Sequence, residues 1–165
     1  MAGLSPRLLA LAPVLGPMAL LGGALVAQYG FLLLPCEMCI WQRWPHGIAL
    51  ALGLLALVAR GRLRALLLAL AALVLLIGAG IGAFHAGVEQ HWWEGPTACT
   101  GAPPTGLSGA AFLETLKGRP LIRCDEIAWS FLGLSMAAWN ALISTGLAAA
   151  TALAARAYAS SSASQ

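Results

Sequence analysis

The chain has 165 residues, of which 60% are hydrophobic and 9% charged, with a formal net charge of +3 and a mean hydropathy of +0.84. A water-soluble domain carries about 25% charged residues, so this composition excludes an ordinary globule in water and requires lipid around it. The modest charge, with no basic face carrying interleaved aromatics, excludes a nucleic-acid binder.

A helix that crosses a bilayer needs about 20 apolar residues for ~30 Å of hydrocarbon. The first apolar stretch, 8–34, meets that length. Arg7 ahead of an apolar run is also how a signal peptide starts, but the run exceeds the usual apolar core and no small-x-small cleavage site follows, so the stretch is read as a retained helix. In the second, His46–Ala59 covers only about 21 Å. Extended back to Ile40 it reaches about 30 Å, which sets the span at 40–59. Its start then lies beside Cys36-Glu-Met-Cys39, with Arg43 just below the membrane surface and Pro45 as a kink or first turn. The third span is 65–85 and the fourth 127–155. Between them, Ser108–Lys117 reads as a short helix, with Ser108 as N-cap and Gly118 and Pro120 closing it. Its Phe112, Leu113 and Leu116 form one apolar side, suited to the lipid surface or to the bundle. The tail 159–165 is Ser/Ala-rich and expected to be disordered. The fold class is therefore an all-α membrane protein, an antiparallel four-helix transmembrane bundle in one domain with two outer loops, the second carrying a short amphipathic helix.

Charge orients the bundle. Arg7, Arg60, Arg62, Arg64 and Arg156 share the side of both termini with no acidic residue, whereas all six acids lie on the other side beside Arg43, Lys117, Arg119 and Arg123. The short arginine turn at 60–64 carries the argument, because short loops obey the positive-inside rule best. The termini are thus expected in the cytoplasm, and all four cysteines face the opposite, oxidising side. Trp41, Trp44, Trp92, Trp93 and Trp129 gather near the outer helix ends as an interfacial belt.

Cys36-x-x-Cys39 places two thiols close enough for an exchangeable disulfide. A c-type haem site needs His after the second cysteine, and Ile40 stands there. A thioredoxin-like site needs a βαβ context that a loop between spans does not offer. A zinc site needs a second close pair, but 24 residues separate Cys99 from Cys124. Alone, Cys99 and Cys124 read as a loop staple; beside an exchangeable pair on the same face, a relay of two disulfides is the better reading. Arg43 follows Cys39 by four residues and shares its helix face, where a guanidinium stabilises a thiolate and attracts the oxygen of a reduced quinone. An arginine snorkelling to headgroups is the plain alternative. His85, at the outer end of the third span, could donate to a quinone carbonyl or be a satisfied interface residue; His46 and His91 rank below it. Asn140 is expected to make an interhelical hydrogen bond, and Gly78-x-x-x-Gly82 to allow close helix contact.

Leu34-Pro-Cys36-Glu-Met-Cys39-Ile-Trp-Gln-Arg43 resembles the first-loop signature of the bacterial disulfide-bond-formation protein B family (DsbB), and Cys124 to Trp139 resembles its second-loop cysteine running into the fourth span. The resemblance covers nearly the whole chain. It implies that a reduced periplasmic DsbA-like thiol oxidase attacks Cys99, and that the released Cys124 attacks Cys36. Cys39 is then left facing a membrane quinone, ubiquinone or menaquinone, held by Arg43. His85 matches the family's quinone-site histidine if one gap is allowed before Cys99. Such a system needs a strongly oxidising sink, because DsbA itself sits at about −120 mV and two-electron equilibria shift tenfold per ~30 mV. The rival readings are a disulfide-stapled membrane scaffold, which has no use for the Cys39/Arg43 pairing, and a quinone-linked oxidase serving one dedicated partner.

Overall fold

A computed structural model describes residues 5–96 and 122–163. Ser5 accepts a hydrogen bond from the Leu8 N–H and Pro6 occupies the first turn, so the chain enters α1 (Pro6–Leu9) at once. It continues through α2 (Ala12–Leu25) into a π-helical turn, Val26–Gly30. Then follow α3 (Glu37–Val58), α4 (Gly61–Glu89), a two-stranded hairpin of β1 (Ser130–Phe131) and β2 (Leu134–Ser135), and α5 (Met136–Ala163).

Among the described residues, three helical stretches are long and apolar enough to cross a membrane: Pro6–Gly30, Gly61–Glu89 and Met136–Ser162. The chain is a multi-pass membrane protein. α3 has the length but not the hydropathy, because Glu37, Gln42, Arg43 and His46 occupy its first three turns. α4 packs against both α3 and α5, while α2 lies on α3 and α1 on α5.

The packing is inverted relative to a water-soluble bundle. Alanines fill the interior, with Ala49, Ala56, Ala71, Ala79, Ala137, Ala148 and Ala154 buried, while Leu55, Leu63, Leu66, Leu73, Leu76 and Leu153 face outward. Lipid accepts leucine as readily as a core does, and small residues let helix backbones approach. Gly78 and Gly82 show this directly. A Cβ on Gly78 would stand 3.0 Å from the Pro45 ring of α3, and one on Gly82 3.1 Å from the Ala137 carbonyl of α5.

Helix ends differ from the sequence expectation in ways that local chemistry explains. The fourth helix begins at Met136, not 127. The stretch before it turns back at Leu132-Gly133, both at positive φ (51° and 78°), with Ser130 opposite Ser135 and Phe131 opposite Leu134. Ser135 then accepts a hydrogen bond from the Ala138 N–H, which starts the helix. Past Ala159, α5 stays helical to Ala163, with Ser160, Ser161 and Ser162 donating to carbonyls three residues back. α3 starts at Glu37 with Cys36 as its N-cap, a turn ahead of Ile40, and runs through Pro45. At the other end, Arg64 donates to the carbonyls of Ala56 and Leu57 in the last turns of α3 and stacks its guanidinium over Tyr158. The expected helix at 108–117 lies outside the described residues.

Candidate thiol exchange site

Cys36 caps α3 with its own sulfur, accepting a hydrogen bond from the Cys39 N–H at 3.2 Å. One turn of helix brings the two sulfurs to 2.9 Å, both as free thiols, with Cys36 donating to Cys39. That hydrogen bond sets which sulfur is charged. It pushes the Cys36 thiol well above its ordinary range, burial adding to the effect. It draws Cys39 down to about 7, against burial, and the Arg43 charge helps. Of the two sulfurs, Cys39 is the one that ionises first and Cys36 the one that keeps its proton.

Cys124 is disulfide-bonded and fully buried, and its partner is neither Cys36 nor Cys39, which are free. Its sulfur lies within 4.8 Å of the Cys36 sulfur and of a His85 ring nitrogen. Three soft donors this close would also suit a thiophilic ion, but a sulfur engaged in a disulfide is not a ligand. The arrangement is suited to thiol–disulfide exchange. Cys99 lies outside the described residues.

His85 stands beside Cys36, its Nε2 3.6 Å from the Cys36 sulfur and 3.9 Å from a carboxylate oxygen of Glu89. It also makes a hydrogen bond with the Cys124 main chain. Gln42 holds the other ring nitrogen, its side-chain amide 2.8 Å from Nδ1. Arg43 donates to the Gln28 side chain at 2.7 Å, and the π-helical turn of residues 26–30 carries that glutamine. Outside the membrane core, Arg123 pairs with Asp125 and Glu126; the hydrogen bond from Arg123 holds the Asp125 carboxyl below its usual range.

Cys36, Cys39, Arg43 and His85 all line one cavity of about 730 Å³. Its walls are mostly apolar, from α2, the π-turn and the start of α5; Gln42, Arg43, His46, His85, Glu89 and Asn140 supply polar groups along the helices, and Arg123 and Glu126 add charged ones from the segment before β1. This volume and lining suit an apolar molecule with a few polar atoms. Gln28, Gln42 and Glu89 are not among the residues the sequence reading places in the site. For Gln42 a signal existed, four residues before His46 and four after Met38 on one helix face. Gln28 and Glu89 gave none.

The family model described as "Disulfide bond formation protein DsbB" matches residues 6–154. The chain belongs to this family. Among its DsbB relatives, Disulfide bond formation protein B of a Polaromonas species (strain JS666) is 33% identical over 149 residues, covering 86% of this chain and 85% of the relative. The protein of the same name from Polaromonas naphthalenivorans is 33% identical over 144 residues, covering 82% and 83%. That from Mannheimia succiniciproducens is 30% identical over 122 residues, covering 70% and 66%. No solved structure matches the chain. As a DsbB family member with three apolar helices, this is a membrane disulfide-bond-formation protein, an oxidoreductase of thiol–disulfide chemistry.

Proposed function

We propose that this DsbB protein reoxidises a periplasmic DsbA-like thiol oxidase and passes the electrons to a membrane quinone through two disulfides. One observation carries the reading: the disulfide-bonded Cys124 sulfur lies within 4.8 Å of Cys36, and Cys36 leads to Cys39 at the cavity wall. In this scheme the outer disulfide joins Cys99 to Cys124. A thiolate of the reduced oxidase attacks Cys99 and releases Cys124 as a thiolate. Cys124 attacks Cys36 of an oxidised Cys36–Cys39 pair; that S–S bond breaks, and Cys39 leaves as the thiolate. The second oxidase thiol resolves its mixed disulfide at Cys99, whose sulfur returns to Cys124. Cys36 is thereby released, so the inner pair carries the two electrons.

The chain's residues fit a quinone. The cavity wall is apolar, the Cys39 sulfur opens on it, and Arg43 offers a fixed cation for an oxygen that gains charge. When bound there, a quinone supplies a two-electron, two-proton sink. The Nε2–H of His85 faces Cys36, which suits it to steadying charge on that sulfur during attack. Within the same reading, α3 is the fourth span of an inner-membrane bundle, both termini are cytoplasmic and the cysteine loops are periplasmic. α3 owes its low hydropathy to the site it carries.

The test is quinone reduction by purified protein supplied with a reduced DsbA-like oxidase. The wild type is expected to turn over, and Cys39→Ser to lose quinone reduction while the Cys99–Cys124 disulfide still exchanges with the reduced oxidase. Turnover unchanged in Cys39→Ser would overturn the scheme, and none in the wild type would favour a stapled scaffold.

A further inference from the structure

The cavity has a second polar pole that thiol exchange does not use. Cys39, Arg43 and His46 follow each other at i, i+4 and i+7, so they form one stripe down α3 into the membrane. His46 is 3% exposed, lines the cavity and keeps its Nδ1 without a hydrogen-bond partner among the described residues.

Which proton that ring carries follows from a chain of hydrogen bonds. The Gln42 side-chain nitrogen lies 3.2 Å from the Met38 carbonyl, which can only accept, so the amide NH₂ points there and also donates to His85 Nδ1. The Gln42 oxygen therefore faces Asn140, whose NH₂ donates to it at 2.6 Å. The Asn140 oxygen is then left to accept, from the Ser144 hydroxyl at 3.2 Å and from His46 Nε2 at 2.7 Å. His46 must carry its hydrogen on Nε2. In the neutral ring, Nδ1 is a bare lone pair, a buried acceptor in need of a donor.

We propose that His46 Nδ1 accepts a hydrogen bond from a ring hydroxyl of the reduced electron acceptor, so that the deep pole of the cavity selects quinol over quinone. This rests on the quinone reading above. A quinone oxygen can only accept and would face the His46 lone pair without a bond. A quinol hydroxyl donates. The site is thus polarised, with Arg43 as donor above and His46 as acceptor below. Preferential binding of the reduced form raises the potential of the bound couple and draws electrons from Cys39. Gln42 and Asn140 are positioning residues, holding the ring in the tautomer that accepts.

The experiment measures binding and not turnover. Full-length protein with Cys39→Ser, which blocks electron transfer, is titrated with a short-chain ubiquinone and separately with its quinol, following tryptophan fluorescence. Quinol is expected to bind about tenfold more tightly, the worth of one hydrogen bond. Adding His46→Leu should remove that preference by weakening quinol alone, equivalent to about 30 mV in the bound two-electron couple. Asn140→Leu, which unlocks the tautomer, should also collapse the ratio, and it decides the matter if His46→Leu does not fold. A ratio unchanged by these substitutions overturns the role of His46 while the quinone reading stands. Failure of the parent protein to bind either form overturns the quinone reading itself.

Discussion

At Cys36 and Cys39 a single hydrogen bond makes two chemically similar thiols unequal. Cys36 is buried at the helix cap and donates to Cys39; Cys39 accepts and takes the charge. The better leaving group in an exchange is the sulfur with the lower pKa, so an attack on the oxidised pair falls on Cys36 and expels Cys39, the order the proposed scheme requires. With its pKa lowered to about 7, Cys39 is ionised above that pH and protonated below it. Thiolate absorbance of the reduced protein should therefore rise with a midpoint near pH 7, and so should alkylation at Cys39. In Cys36→Ala the donor is gone, and the midpoint is expected to move up toward the ordinary thiol value of about 8.5. A midpoint unmoved by that substitution would mean that Arg43, not Cys36, sets the charge.

Among the elements, the hairpin before α5 has the clearest consequence. Leu132 is held at φ 51° and is 78% exposed, so its left-handed backbone is not compensated by burial in the protein. For a leucine that conformation costs about 1–2 kcal/mol. The hairpin keeps it because Ser135, its last residue, both caps α5 and bonds the buried Glu89 beside His85. Leu132→Asn should relieve the strain and raise Tm by about 2–4 °C in a chain of this size. A lowered Tm would instead mark Leu132 as a lipid contact worth more than the strain. Trp93 illustrates the same coupling just past the C-terminal end of α4: it stacks on Phe84, donates to the Phe84 carbonyl and covers Gly87, where any Cβ would collide with its indole.

For the whole molecule the decisive feature is the distribution of charge between its two ends. Arg60 and Arg62 are exposed at the α3–α4 turn and Arg64 closes α3, while Cys36 and Cys39 lie at the opposite end of α3. A phosphatase reporter that folds only in an oxidising compartment should stay inactive when fused after Gln165 and become active when fused after Glu94. The reverse pattern would turn the bundle over and put the cysteines in the reducing cytoplasm, which is incompatible with the exchange proposed.

Membrane residence, the three apolar helices, the Cys36-x-x-Cys39 pair at the head of a helix and the family itself were legible in the sequence. Each depends on local quantities: hydropathy over about twenty residues, a spacing of three, a motif read in order. Even the weakness of the second span showed, because the polar residues that lower its hydropathy are printed in its first turns. The start of α5 was not legible, since an apolar run at 127–135 fits a helix until Gly133 and the Ser135 cap turn it into a hairpin. Nor could the sequence bring Cys124 within reach of Cys36, or join Gln42 to Asn140 across 98 positions. Those meetings are decided by Gly78 and Gly82, which let α4 approach α3 and α5 so closely that side chains far apart in the chain share one cavity. Local pattern determined which residues could do chemistry; close helix packing decided which of them stand together, because a hydrogen bond needs its partners within about 3 Å.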